Sequence, residues 1–143
     1  MDETLAATAS ELRFALFRLT RRLRCVRAVD ALSDAQLAVL GALRAEGRRT
    51  LSRLAERERV TAPTMSATIN GLAELGLVVR VPDDDDRRRV YVEITEQGEK
   101  IVAATIRRRD EVLADMITEV DLDPHELAVL REAAAVLRKV AGA

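Results

Sequence analysis

The stretch Leu75-Gly76-Leu77-Val78-Val79-Arg80-Val81-Pro82-Asp83-Asp84-Asp85-Asp86-Arg87-Arg88-Arg89-Val90-Tyr91-Val92-Glu93-Ile94-Thr95-Glu96-Gln97-Gly98 decides the fold. Gly76 ends a helix, and a short apolar strand follows from Leu77 to Val81. The chain then turns through Pro82 and four aspartates, Asp83 to Asp86. It returns as an alternating strand, with Val90, Val92 and Ile94 on one face and Tyr91 and Glu93 on the other. Thr95 is placed to cap a new helix. Arg87, Arg88 and Arg89 occupy the hairpin tip. A basic-tipped hairpin directly after two short helices predicts a wing, which reaches a DNA minor groove beside a helix lying in the major groove.

The two short helices are legible upstream. Ser33 and Gln36 form a capping-box pair, Leu32 is placed to staple onto Leu37, and Leu37, Leu40 and Leu43 give the first buried face. A loop, Glu46-Gly47-Arg48-Arg49, leads to Thr50, which caps a short helix containing Leu51, Leu54 and Ala55. The chain breaks near Arg59 and restarts at Thr61, a second cap, with Pro63 in the first turn. The helix from about Ala62 to Leu75 is expected to bury Met65, Ile69, Leu72 and Leu75. Thr61, Thr64, Ser66, Ala67, Thr68 and Asn70 are the candidates for its DNA-facing side, together with Ala62. Small side chains there let the backbone approach base edges. The segment between Val60 and Val79 holds no Arg or Lys, so guanine reading from within this helix is excluded. Asn70 is left for adenine, and Thr and Ala for thymine methyls. This predicts A·T pairs under the helices, affinity resting on arginines elsewhere, and a steep salt dependence. Arg48, Arg49 and Arg53 are the phosphate-binding candidates.

Outside this lobe the chain is helical. Leu5, Ala9, Leu12, Leu16, Leu19, Leu23 and Val26 recur at alternating steps of four and three, a heptad seam that must cover itself against another helix. Phe14 and Phe17 fall off the seam, and Arg13, Arg18, Arg21, Arg22, Arg24 and Arg27 fill the remaining face. A second long helix is expected from about Glu96 to Glu119. A third starts at Asp123, with Pro124 in its first position and Glu126 completing a capping box, and carries Leu127, Leu130, Ala134, Leu137 and Ala141. The expectation is one domain over 1–143: a winged helix-turn-helix lobe at 32–95, with 1–30 and 96–143 as dimerisation helices. A two-fold protein matches a palindromic operator.

Composition bounds the reading. A chain of 143 residues suffices for one core, and with apolar residues at 48% but aromatics at 2% that core is aliphatic. No apolar run approaches a membrane span and no leader pattern opens the sequence, so no membrane partner is expected. One cysteine excludes an internal disulfide, which makes the cytoplasm the expected compartment. The net charge of −1 is spread unevenly, at +1 over 1–47, +2 over 48–89 and −4 over 90–143. The phosphate-binding charge is therefore local to the middle segment.

At this point the chain resembles the multiple antibiotic resistance regulator (MarR) family of winged helix-turn-helix proteins, from its first helix to its last. Asp86-Arg87-Arg88, Val90, Val92, Ile94-Thr95 and Gly98 match the family's wing pattern, Ile94 standing for the usual Leu. Leu54-Ala55-Glu56-Arg57, Val60-Thr61, Pro63-Thr64 and Leu72-Ala73-Glu74-Leu75-Gly76-Leu77-Val78 match its two-helix unit. The resemblance implies a homodimer of roughly triangular shape, joined through its terminal helices, and a repressor of a pseudo-palindromic operator. It implies that Arg88 enters the minor groove, that Asp86 braces the wing, and that Arg87 or Arg89 shares the groove or holds phosphates. It also implies release by a small aromatic or phenolic acid. Three departures stand out. Ala67 replaces a common basic residue, Glu58 and Arg59 replace a common apolar residue and glycine, and Asp83 to Asp85 bring negative charge beside the wing tip.

The remaining chemistry is sparse. A redox role for Cys25 would need a thiolate favoured by Arg21, Arg22 and Arg24, but a structural cysteine is the simpler reading. One His and one Cys exclude an ordinary zinc site, and His125 reads as a helix-surface residue. No phosphate loop, nucleophile with its base, or metal cluster is present, so neither an enzyme nor a cofactor is expected. If an effector binds, Phe14, Phe17 and Arg18 are its candidate wall. Two alternatives remain at the level of sequence: a DNA-binding protein without an effector, and a helical protein-interaction module.

Overall fold

The computed structural model describes residues 2–26 and 32–142, with the backbone alone for Cys25 and Val26. The side chain of Cys25, and that of Val26 at the end of the heptad seam, therefore lie outside the described residues. Helices α1 (Glu3–Val26) and α2 (Asp34–Glu46) lead to strand β1 (Arg49–Thr50), and α3 (Leu51–Glu58) and α4 (Ala62–Glu74) follow. Strands β2 (Val78–Pro82) and β3 (Val90–Ile94) then form the hairpin, and α5 (Glu96–Glu119) and α6 (Pro124–Ala141) end the chain. This is a mainly α fold with a small β-hairpin wing, as the sequence predicts.

Local chemistry sets the element starts. Ser33 accepts from Gln36 N while Gln36 Oε1 accepts from Ser33 N, which closes the expected capping box. Thr50 and Thr61 cap α3 and α4 by accepting from Arg53 N and Thr64 N. Asp123 and Glu126 close a second box at α6. Helix α4 ends in a Schellman arrangement, with Gly76 N donating to Ala73 O and Leu77 N to Leu72 O, and Gly76 takes φ 75°. The reversal carries Leu75 outward, so it is 47% exposed rather than buried as the helical period suggested.

The chain divides into two compact units, Met1–Arg108 and Arg109–Ala143. In the first, Val39, Leu40, Leu43, Leu54, Met65, Ile69, Leu72, Leu77, Val78, Val92 and Val102 are fully or almost fully buried and form one aliphatic core. They come from α2, α3, α4, both hairpin strands and the start of α5, so the core is what fixes wing against helices. The sheet has three strands in the order β1-β3-β2. Strand β1, read from sequence as part of a loop, pairs antiparallel with β3 through Arg49 opposite Val92 and Thr50 opposite Tyr91. Two residues carry no alternation to detect, and their partners lie some forty positions away.

Helix α1 belongs to this unit yet has no buried side chain among its described residues. Arg24 Nε lies 3.3 Å from Asp34 Oδ2 at the start of α2. The second unit is the end of α5, a turn at Val120 and Asp121, and α6. Helix α6 buries no residue fully, and Leu127, Val129, Leu130, Val136 and Val140 are all exposed. Among the described residues no helix is long and apolar enough to cross a membrane.

Candidate nucleic-acid interface

Helix α4 buries Met65, Ile69 and Leu72 against the core. The helical period then sends Pro63, Ala67, Asn70 and Glu74 to the opposite side, and all four are exposed. Thr61 and Thr64 are exposed at the helix start, where the Thr61 hydroxyl also donates to the Thr64 hydroxyl at 2.9 Å. Ser66 and Thr68 are half-buried on the flanks, with Thr68 Oγ1 donating to the Thr64 carbonyl. Of the candidate helix residues, Thr61, Thr64, Ala67 and Asn70 thus share solvent, while Ser66 and Thr68 lean toward the core.

One residue on this surface escaped the sequence reading. Arg80 of β2 sits opposite Val92 and donates from Nη2 to Asn70 Oδ1, so the exposed side of α4 does have an arginine beside it. The signal lay in strand alternation. Arg80 shares a face of β2 with buried Val78, the face turned to the helices.

The turn between α3 and α4 explains another departure from the family pattern. Arg59 adopts φ 54° and ψ 43°, the left-handed position usually given to glycine at a helix end. Its N–H donates to Glu56 O and that of Val60 to Ala55 O, so the helix ends as it would with glycine, at a steric cost.

The wing tip is built by its aspartates. Asp86 Oδ1 accepts from Arg88 N at 3.0 Å and lies 3.4 Å from Arg88 Nε. Asp83 does the parallel work at the other end of the turn, just after β2. Its Oδ1 accepts from Asp85 N at 3.1 Å, its Oδ2 lies 4.0 Å from Arg89 Nη1, and its side chain is only 13% exposed. Backbone bonds from Asp83 N to Arg89 O and from Arg89 N to Asp86 O close the loop. Two of the four aspartates are thereby structural, and their charge is met within the turn. Arg88 projects with a side chain 94% exposed. The Arg89 guanidinium is held above its ordinary pKa range, first by the Tyr91 hydroxyl and then by the charge of Asp83. Arg87 is exposed.

The three phosphate candidates occupy different settings. Arg48 stacks 4.4 Å over the Tyr91 ring and lies 3.7 Å from Glu93, on the face of β3 turned away from the core. Arg49 donates to the Arg48 carbonyl and lies 3.9 Å from Glu46. Arg53 is 73% exposed, 3.8 Å from Glu56. A groove of about 380 Å³ between Thr50, Leu51 and Ser52 and the wing base is lined by Arg88, Arg89 and Val90, which brings wing and helix start together. Elsewhere on α3, Arg57 joins Glu46 and Glu58 at 3.1 and 2.8 Å. Partial burial lowers its pKa, but the hydrogen bonds it donates to Glu58 and Glu46 outweigh this and raise it overall.

On α1, Arg18 lies over the Phe14 ring at 5.8 Å. Phe17 instead faces a surface groove of about 410 Å³ with Leu16, Thr20, Arg21 and Arg24. The candidate effector wall is thus divided, with Phe14 and Arg18 in one cluster and Phe17 in another. No group of three or more metal-ligating side chains occurs among the described residues.

Comparison with known proteins follows the same outline. The MarR family model matches residues 32–89. The chain is 39% identical over 137 residues to an uncharacterised HTH-type transcriptional regulator of Mycobacterium bovis, across 96% of this chain and 94% of that one. It is 30% identical over 109 residues to the HTH-type transcriptional regulator FarR of Neisseria gonorrhoeae, across 76% and 73% of the two chains. A solved MarR family protein from Bacillus stearothermophilus shares the fold with a TM-score of 0.84 over 100% of this chain and 99% of that one, at 24% identity.

Proposed function

This chain belongs to the MarR family of DNA-binding transcriptional regulators, and we propose that it acts as a homodimer that represses transcription from a pseudo-palindromic operator. One observation carries this reading: a helix face of small residues, Pro63, Ala67 and Asn70, and an arginine tip braced by Asp86 project from one core. Such a lobe offers a rod for the major groove and a finger for the adjacent minor groove. Thr61 and Thr64 flank the rod, while Arg87, Arg88 and Arg89 form the finger. Exposed Arg53 is the best placed of the phosphate candidates, since Arg48 and Arg49 are tied to Tyr91, Glu93 and Glu46.

The dimer follows from the apolar residues that α1 and α6 leave uncovered. Repression follows from occupancy, because a dimer seated on a promoter excludes polymerase. A small aromatic or phenolic acid is the effector this reading includes. The groove beside Phe17 supplies an aromatic edge, with Arg21 for its carboxylate.

The test is binding of the purified protein to the fragment upstream of its own gene, at two salt concentrations, with and without salicylate. The reading expects specific retention that weakens steeply with salt and reverses with salicylate. A protein that retains no duplex at low salt is not this regulator. A complex that salicylate and related acids leave intact removes the effector and keeps the DNA-binding role.

A further inference from the structure

Helix α4 faces solvent with Pro63, Ala67, Asn70 and Glu74, a stripe without a cation of its own. The fold supplies one from elsewhere. Strand alternation places Arg80 on the face of β2 that carries buried Val78, opposite buried Val92. Its stem therefore runs along the helix side of the sheet, and its guanidinium emerges beside Asn70, whose Oδ1 accepts from Nη2. Arg48, Arg53, Arg57, Arg88 and Arg89 each lie within 4.0 Å of a carboxylate. Arg80 is held by a neutral amide, which fixes direction without offsetting charge.

We propose that Arg80, oriented by Asn70, reads a guanine at the edge of the α4 footprint in the major groove. The proposal rests on the DNA-binding reading above and names the residue that sets its sequence preference. A guanidinium has five N–H donors in a planar fork, and Asn70 takes one of them. Those remaining suffice for the bidentate contact to O6 and N7 that makes arginine the usual reader of guanine. Asn70 is a positioning residue here. With its carbonyl engaged, it is less suited to the paired contact with adenine that its side chain alone suggests. The operator is then expected to hold one G·C pair per half-site beside the A·T pairs under the small residues.

The experiment selects bound duplexes from a library randomised over about 24 base pairs, just over two helical turns, using wild type, Arg80→Ala, Arg80→Lys and Asn70→Ala. The wild type is expected to retain a G·C pair at two symmetry-related positions. Arg80→Ala abolishes that preference, and discrimination at those positions falls by about 5- to 150-fold. Arg80→Lys keeps the salt slope but loses most of the preference, because a point charge lacks the fork. Asn70→Ala weakens the preference partially without changing the salt slope. Circular dichroism of each variant confirms that the fold is retained. If Arg80→Ala weakens all duplexes equally and lowers the salt slope, Arg80 is a phosphate contact and the proposal fails. An unchanged preference in Arg80→Ala sinks this assignment alone. A wild type that binds no duplex sinks the DNA-binding reading with it.

Discussion

Arg59 and Gly98 show how single residues set the cost of the fold. At Arg59 the left-handed backbone costs an L-residue about 1–2 kcal/mol, and the two hydrogen bonds that end α3 do not depend on its side chain. Glycine removes the steric cost but adds about 0.4–1 kcal/mol of unfolded-chain entropy. Arg59→Gly is therefore expected to stabilise by roughly 0.5–1 kcal/mol, which denaturant midpoints at fixed protein concentration will show. A lower midpoint would mean that the Arg59 side chain has a structural role that its exposure hides. Gly98 has the opposite sign. A Cβ there would lie 2.2 Å from the Leu77 carbonyl oxygen and 2.8 Å from Ile94 Cγ1. The approach is close because Thr95 ties α5 to the hairpin, donating from N to Leu77 O and from Oγ1 to Gly76 O. Thr95 Oγ1 also caps Gly98 N. Alanine gains about 1 kcal/mol in helix propensity, but overpacking against backbone and the strained Thr95 bonds cost about 2–4 kcal/mol. Gly98→Ala should lower the denaturant midpoint, and an unaltered midpoint would refute the close packing described.

At the scale of elements, what the sequence disclosed depended on how far apart the deciding residues lie. The Ser33–Gln36 and Asp123–Glu126 boxes, three residues apart, are read directly from local chemistry. While the brace at Asp86 is what the family resemblance implies, the return strand of the wing announces itself by alternation. Strand β1 does not, since two residues have no period and pair with Val92 and Tyr91 far along the chain. The Arg80–Asn70 pair stayed hidden because a helix and a strand must first pack before the two meet. The structural role of Asp83 is hidden for the same reason: the sequence shows only its charge beside the wing tip, and the role depends on the turn that Asp86 and Arg89 close. The wing also yields a prediction at its own scale. Arg88 is almost wholly exposed and its contact with Asp86 spans solvent, so the pair adds little stability. Arg88→Ala is expected to leave the thermal midpoint unchanged while weakening operator binding by about tenfold or more. The salt slope should fall by about 2 for a dimer with two wings, since each lost charge contact accounts for close to 0.9. Anisotropy titrations at several salt concentrations measure both quantities. Unchanged affinity would exclude Arg88 from the interface.

For the whole molecule, the decisive quantity is apolar surface without a cover. Leu5, Leu12, Leu16 and Leu19 of α1 are 37–58% exposed, and Leu127, Leu130, Val136 and Val140 of α6 are 44–75% exposed. A helix of 18 residues with no fully buried side chain gains little from its own unit, whereas most helical stability in proteins comes from packing an amphipathic face. Burial of one such Leu or Val contributes about 1.5–3 kcal/mol when complete. Covering all of the exposed area on these eight residues in each of two protomers contributes about 12–24 kcal/mol, against an association cost of about 4–15 kcal/mol. In the homodimer proposed above a second copy is the occupant, since a heptad seam such as that of α1 is suited to pairing about a two-fold axis. Sedimentation equilibrium is therefore expected to give a dimer at micromolar concentration, with a thermal midpoint that rises with protein concentration. Leu16→Glu and Leu130→Glu, each placing a charge on one of the two faces, should both shift the equilibrium to monomer. They should also lower the midpoint and abolish tight operator binding, while leaving the core around Leu54 and Ile69 folded. A variant that turns monomeric yet keeps full operator affinity would separate DNA recognition from pairing. A wild type that sediments as a monomer at all concentrations would leave these faces to a partner other than a second copy.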